Sequence, residues 1–353
     1  MFDKMIHCGI LVAASLLLAP QAHADDFTLR IGAGHPTSLG FVSVADTYFI
    51  PEVTQRAKAM GHNIRFIKAY AGTVAKVDGL VEAVQKGTLD IALQATTFDT
   101  ERGALFNFSS YVPFTSSDYA LQQKVANRML AEVPELRDSM KRFGIHVLNM
   151  SVFEDYGIMS KQELKALDDL KGRKFAIGSA NAGWIAAAGG VGISLPAGEY
   201  YQSIQSGLTD GAVFFANGLE TFKLGEVAKF LLKPERGLII GAVTYMSEDA
   251  RKKMPKDLLA MIDKVAEETA LKTTELSQQR DQSIEPRAKA MGVKIGTLSA
   301  ADRLRWAEAM KDLPASEAKR LDGKGLPGTA VIKAYIRFLR EEGYKFPVQY
   351  NLG

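Results

Sequence analysis

Residues 168–227 constrain the fold more than any other part of the chain. They open with a strand-like run at residues 174–177 (KFAI) that passes into a Gly/Ser/Asn loop. A helical segment rich in small residues follows, then a second helical segment and another apolar run at residues 212–215 (AVFF). A strand that leads through a loop into a helix and back to a strand is the unit of a parallel sheet. The alternation continues in both directions. Residues 27–32 (FTLRIG) alternate as a half-buried strand does. Residues 64–68 and 89–94 read as further strands, and residues 78–87 as a helix ended by Gly87. Residues 42–60 carry an amphipathic helical pattern in which Pro51 predicts a kink. Residues 120–143 are helical in pattern, and residues 145–150 and 237–245 are strand-like. Residues 255–291 read as one long helical segment that Pro286 bends or interrupts. Ser299, with Asp302 three residues on, caps a helix that holds Trp306.

Size then decides the architecture. The first 24 residues read as an export signal: Lys4, an apolar run at residues 10–18, and an A-x-A motif at Ala22, His23 and Ala24. That run is shorter than the roughly 20 residues of a membrane span, so a soluble exported chain cleaved after Ala24 is expected. Cys8 lies within the signal, which leaves the mature chain without disulfides or thiol chemistry. The rest of the 353 residues suffices for about two domains at roughly 150 residues each. No Pro/Gly/Ser-rich linker separates them. A chain that builds two lobes without a linker crosses between them more than once. The expected division is residues 25–150 with 237–278 in one lobe, and residues 151–236 with 279–353 in the other. Ligands of open parallel sheets bind outside the carboxyl ends of the strands. The site is therefore expected in the cleft between lobes, which would close on binding.

Several functions are disfavoured. The net charge is only +3, its bases are scattered among acids, and the longest basic run is Arg251-Lys252-Lys253, so no nucleic-acid partner is expected. His35, His62 and His146 are the only histidines after the signal and are widely separated; no metal or other cofactor is expected. The GKGLPG at residues 323–328 holds Pro327 and follows a polar helical stretch, so it reads as a turn and not a dinucleotide loop.

Four phrases carry a resemblance. They are AYAGTVAKVDGLVEAVQKGTLDIAL at residues 69–93, DLKGRKFAI at 169–177, YYQSIQSGLTDGAVFF at 200–215 and FKLGEVAKFLL at 222–232. In this order, behind an export signal and ahead of the long helix, they resemble the solute-binding proteins of TRAP (tripartite ATP-independent periplasmic) transporters, the DctP-like family. The resemblance implies an α/β, type II-like periplasmic-binding-protein fold. Each lobe would be a mostly parallel sheet flanked by helices, with a long helix spanning both. It also implies a non-enzymatic, expectedly monomeric receptor that captures an organic acid and delivers it to TRAP membrane permease subunits for ion-gradient-driven uptake. Two positions depart from the family's pattern. The arginine that usually follows the lysine of the second phrase by two residues, and clamps a ligand carboxylate, is Ala176 here. The asparagine that often follows the Asp-Gly of the third phrase is Phe214. Both changes make the pocket more apolar, which points to an apolar or aromatic monocarboxylate.

The residues expected to line the cleft come from loops after strands. They are His35; Tyr70, Thr73 and Lys76; Thr97 and Phe98; Glu154 and Tyr156; Ser179, Asn181 and Trp184; and Phe214, Phe215 and Asn217. Aromatic walls with few polar groups suit a small-molecule cleft. Backbone amides near residues 179–183 could donate to a carboxylate without an arginine. Each residue also has a plainer reading: Phe214 or Phe215 in the core, Trp184 on a buried helix face, Lys76 and Glu154 at the surface. A receptor for another transporter or a sensor would share the fold. An exported enzyme using Glu154 or His35 would need a partnered base, and no spaced pair supplies one.

Overall fold

The computed structural model describes residues 26–352; the export-signal reading of residues 1–24 lies outside them. Eleven strands run through those residues: β1 Asp26–Ala33, β2 Asn63–Ala69, β3 Ile91–Ala95, β4 Ile145–Val152, β5 Tyr156–Ser160, β6 Lys174–Ile177, β7 Val191–Ser194, β8 Gly211–Phe215, β9 Phe230–Lys233, β10 Ile240–Ser247 and β11 Lys294–Thr297. They form two sheets, ordered β2-β1-β3-β10-β4 and β11-β9-β5-β8-β6-β7. Helices flank both sheets, giving the two-lobe α/β fold.

Within each sheet a single strand opposes the rest. β10 is antiparallel to β3 and β4, and β5 is antiparallel to β8 and β9. Both follow directly on a crossing from the other sheet. Only Phe153, Glu154 and Asp155 separate β4 from β5, which lie in different sheets, so the chain passes straight from one to the other. The second crossing, residues 234–239, returns beside the first, and the Phe153 amide donates to the Ile239 carbonyl at 3.0 Å. A two-stranded antiparallel ribbon thus joins the lobes.

Central strands are apolar on both faces. β3 (IALQA), β8 (GAVFF) and β10 (IGAVTYMS) are buried at every position, because helices cover both sides. Proline shapes the helices. The pattern at residues 42–60 is realised as Gly40–Val44 and Ile50–Ala59 with a π turn, Ala45–Phe49, between them. Pro51 has no N–H to donate back to the turn before it, and the wider turn accommodates that loss. Residues 120–143 split into Tyr119–Glu132 and Pro134–Lys141 at Val133, which precedes a proline. The long segment becomes Lys256–Gln282 and Ile284–Ala290, with Pro286 in the first turn of the second piece. The longer helix lies along β4 and the shorter one beside β11, so the helical path spans both lobes. No helix among the described residues is long and apolar enough to cross a membrane.

Candidate functional site

The carboxyl ends of β3 and β6 face each other across the cleft. Each runs into a tight 3-10 turn, Thr96–Phe98 and Ser179–Asn181. The Ser179 hydroxyl donates to the Thr97 carbonyl at 3.3 Å. Gly178 allows this approach, since a Cβ there would lie 3.1 Å from the Thr97 hydroxyl oxygen. The loop after β1 brings in His35, whose ring is 5.3 Å from that of Phe98 and 5.7 Å from that of Phe41. Burial alone pushes His35 down to about 4, so the imidazole is neutral at physiological pH.

Aromatic rings connect this point to the second sheet. Phe41 meets Phe153 at 5.5 Å, Phe153 meets Phe215 at 5.8 Å, and Phe215 meets Tyr156 at 5.8 Å. Tyr156 stands edge-on to Trp184 at 5.7 Å. The Arg236 guanidinium carbon lies 3.3 Å above the Trp184 ring. Arg236 is 1% exposed. Burial pushes its guanidinium down to about 10, which still leaves it charged at neutral pH.

Polar groups in this zone are buried and lack hydrogen-bond partners among the described residues. They include both nitrogens of His35, the Tyr200 hydroxyl, and Nη1 and Nη2 of Arg236; the Tyr156 hydroxyl has only the Thr97 and Asn181 side chains beside it. A buried polar group without a partner costs about 1–3 kcal/mol, so their concentration here makes this zone the candidate binding site. At the rim the cleft opens into a cavity of about 450 Å³ lined by His35, Lys76, Pro196, Glu199 and Phe222.

The model of the DctP family, bacterial extracellular solute-binding protein family 7, matches residues 55–320. This chain is a DctP-family solute-binding protein. A solute-binding protein of Albidiferax ferrireducens is 25% identical over 305 residues, 84% of this chain and 88% of that one. Among solved structures, a TRAP periplasmic solute-binding protein from Desulfovibrio salexigens with bound orotic acid superposes with a TM-score of 0.78 at 21% identity, covering 89% of this chain and 99% of that one. DctP7 of Bordetella pertussis, which binds pyroglutamic acid, gives 0.76 at 18% identity, covering 88% and 99%. A TRAP protein of Bordetella bronchiseptica with bound (R)- and (S)-mandelate gives 0.74 at 19%, covering 89% and 99%.

Within this DctP-family cleft the expected residues fall into groups. His35, Thr97, Phe98, Tyr156, Ser179, Asn181, Trp184, Phe214 and Phe215 share the zone just described. Trp184 is fixed at both ends of its backbone and ring: its indole N–H donates to the Ser110 carbonyl at 2.8 Å, and its carbonyl accepts from Trp306 at 2.9 Å. Phe214 stacks on Phe215 at 3.9 Å and packs against Tyr200 and Phe222. Thr73 and Lys76 are exposed, Lys76 on the rim cavity. Tyr70 is half-buried, its hydroxyl pushed up by burial and by the Asp46 carboxylate. Glu154 is buried and ion-paired with Arg280 at 3.5 Å. Asn217 is engaged by Thr221 and Arg287, each at 2.9 Å. Ala176 is fully buried in the middle of the sheet, in register with Ala212. Arg236 and Tyr200 were not foreseen. In sequence Arg236 is one scattered base, and its only local signal is its place between Pro234 and Gly237 just before an apolar strand.

Proposed function

We propose that this DctP-family protein is the receptor of a TRAP-type uptake system. It captures a small organic acid in the periplasm as a monomer and hands it to the membrane permease subunits, which import it on an ion gradient. The ligand on this reading is a relatively apolar or aromatic monocarboxylate held in the cleft between the sheets. One observation carries the reading: a set of buried, unpartnered hydrogen-bonding groups enclosed by Phe98, Tyr156, Trp184, Phe214 and Phe215. Aromatic faces bury a flat ring, and sparse polar groups orient it. The similar receptors solved with orotic acid, pyroglutamic acid and mandelate support an organic acid as the class.

The test is a thermal-shift screen of the secreted chain, unfolded and refolded to strip carried-over ligand. The library holds mandelate, benzoate, orotate, pyroglutamate, gulonate, succinate and neutral amides. A ligand present at about 100 times its Kd stabilises the native state by about 2.7 kcal/mol. Shifts are expected from the aromatic monoacids, with small or no shifts from gulonate, succinate and the amides. A screen in which only sugar acids or dicarboxylates stabilise the protein would overturn the ligand class.

A further inference from the structure

Arg236 lies in the second crossing of the hinge ribbon, and the backbone there is held in an unusual shape. Glu235 before it has φ 48° and Gly237 after it has φ 93°. Glycine is required at 237, because a Cβ would stand 2.2 Å from the Thr115 carbonyl oxygen. The Arg236 carbonyl accepts from the Thr115 amide at 3.2 Å, and the Leu238 amide donates to Ser116 at 3.1 Å. Two left-handed residues in three, pinned to the 113–116 loop, aim the Arg236 side chain inward. There the guanidinium rests on Trp184, itself anchored to Ser110 and Trp306. A fixed plate under a fixed fork is a preorganised arrangement.

The fork has no protein acceptor at its tips. Nη1 and Nη2 are buried and unpartnered among the described residues, and Arg236 is the only cation among the fully buried charged side chains described. Asp155 in the first crossing is the acid whose field Arg236 feels most, yet it forms no ion pair with it, and its Oδ1 is itself unpartnered. Arg280 is committed to Glu154, Arg287 to Glu220 and Asn217, and Lys76 is exposed on the rim. A desolvated guanidinium without an anion is costly, and the planar fork fits a carboxylate with two parallel hydrogen bonds.

Resting on the receptor reading above, we propose that Arg236 receives the ligand carboxylate, taking the role that Ala176 cannot fill, with Trp184 as its backing plate. Tyr156, stacked edge-on to Trp184, and its neighbours Thr97 and Asn181 supply further donors on the same side. One buried cation accommodates one carboxylate, so the site selects monoanions. The second carboxylate of a diacid would enter the aromatic zone of Phe214 and Phe215 unpaired.

The experiment uses the aromatic monoacid that stabilises the wild type most in the screen, and its carboxamide, in calorimetric titrations of wild type, Arg236→Lys and Arg236→Met. Wild type is expected to favour the acid over the amide by 100-fold or more. Arg236→Met is expected to lose the acid by at least about 30-fold and bring the acid-to-amide ratio close to one. Arg236→Lys, which keeps the charge but not the fork, should fall between. Removing an unpaired buried charge should leave the ligand-free melting temperature of Arg236→Met unchanged or raised. An acid preference kept in both variants would refute Arg236 as the anion site while leaving the receptor reading intact. A variant that unfolds while Arg236→Lys binds as wild type would assign Arg236 to the fold alone. No acid binding by the wild type would remove both readings.

Discussion

Glu154 and Asp155 adjoin in the first crossing, and desolvation pushes both carboxyls up to about 7. Their ordinary values are 4.5 and 3.8, so between about pH 4 and 7 the folded chain keeps protons that the unfolded chain has released. Stability contributed by these groups therefore falls as pH rises through that window. His35 acts in the opposite sense: its folded value of about 4 lies below 6.5, so its contribution grows with pH between those limits. Two carboxyls outweigh one imidazole; Asp281 and Asp99, also pushed up by burial, act with them, and His146, pushed down chiefly by burial, acts with His35. At about 1.4 kcal/mol per pKa unit, Glu154 alone accounts for about 3 kcal/mol. Urea melts at about pH 5 and pH 8 should show wild type more stable at the lower pH. Glu154→Gln should gain about 2 kcal/mol at the higher pH and little at the lower, since its amide oxygen still accepts from Arg280. An equal effect of the variant at both pH values would show that Glu154 takes up no proton on folding. Residue-scale facts of this kind lie beyond the sequence. That Glu154 is buried, that Asn217 serves Arg287, and that Arg236 has no acceptor all depend on where distant segments meet.

The elements themselves were largely legible. β1, β2, β3, β4, β6, β8 and β10 lie where apolar runs bounded by Gly or polar loops predict them, and the Ser299 cap closes on the Asp302 amide at 3.1 Å. The strands that periodicity passed over are β5, β7, β9 and β11, each only four or five residues long. β7 (VGIS) and β11 (KIGT) are largely exposed and hold only two and one large apolar residues. The long helix shows what pattern leaves out, for part of its buried face is polar: Thr269, Thr273, Thr274 and Ser277. Thr274 explains why. Its hydroxyl donates to Gln123 at 2.5 Å and accepts from the Val152 amide at 3.2 Å, tying the helix to Tyr119–Glu132 and to the end of β4. Thr274→Val keeps the shape and leaves the Gln123 and Val152 groups without that partner, at an expected cost of about 1–3 kcal/mol in urea unfolding. Leu271→Ala, at an exposed position of the same helix, should change stability by less than about 0.5 kcal/mol. Equal effects of the two substitutions would mean that the hydroxyl contributes nothing to docking the helix.

At the scale of the whole molecule, absence of a linker was the sequence feature that anticipated two crossings, and it left open how the lobes would touch. The ribbon of β4–β5 and β9–β10 gives them a shared spine, so any relative motion of the lobes is expected to concentrate in residues 153–155 and 234–239. Across the cleft, the turn at Thr97 meets the turn at Ser179, beside the bond from the Trp184 indole to the Ser110 carbonyl. Gly178 adopts φ −67° and ψ 134°, an extended conformation open to any residue, so a side chain there creates no backbone strain. Its Cβ would nevertheless come within 3.2 Å of Thr97 atoms in the opposite lobe. Gly178→Val should therefore leave each lobe intact and oppose only their approach. Melting of the ligand-free variant is expected to match wild type, whereas binding of the acid found in the screen should weaken by about 10- to 100-fold, the equivalent of roughly 1.4 to 2.7 kcal/mol of lost closure. Small-angle scattering reads the same quantity directly: wild type should contract when saturated with the acid, and the variant should contract less. Contraction and affinity equal to wild type would show that ligand capture does not require the Thr97 and Ser179 turns to meet.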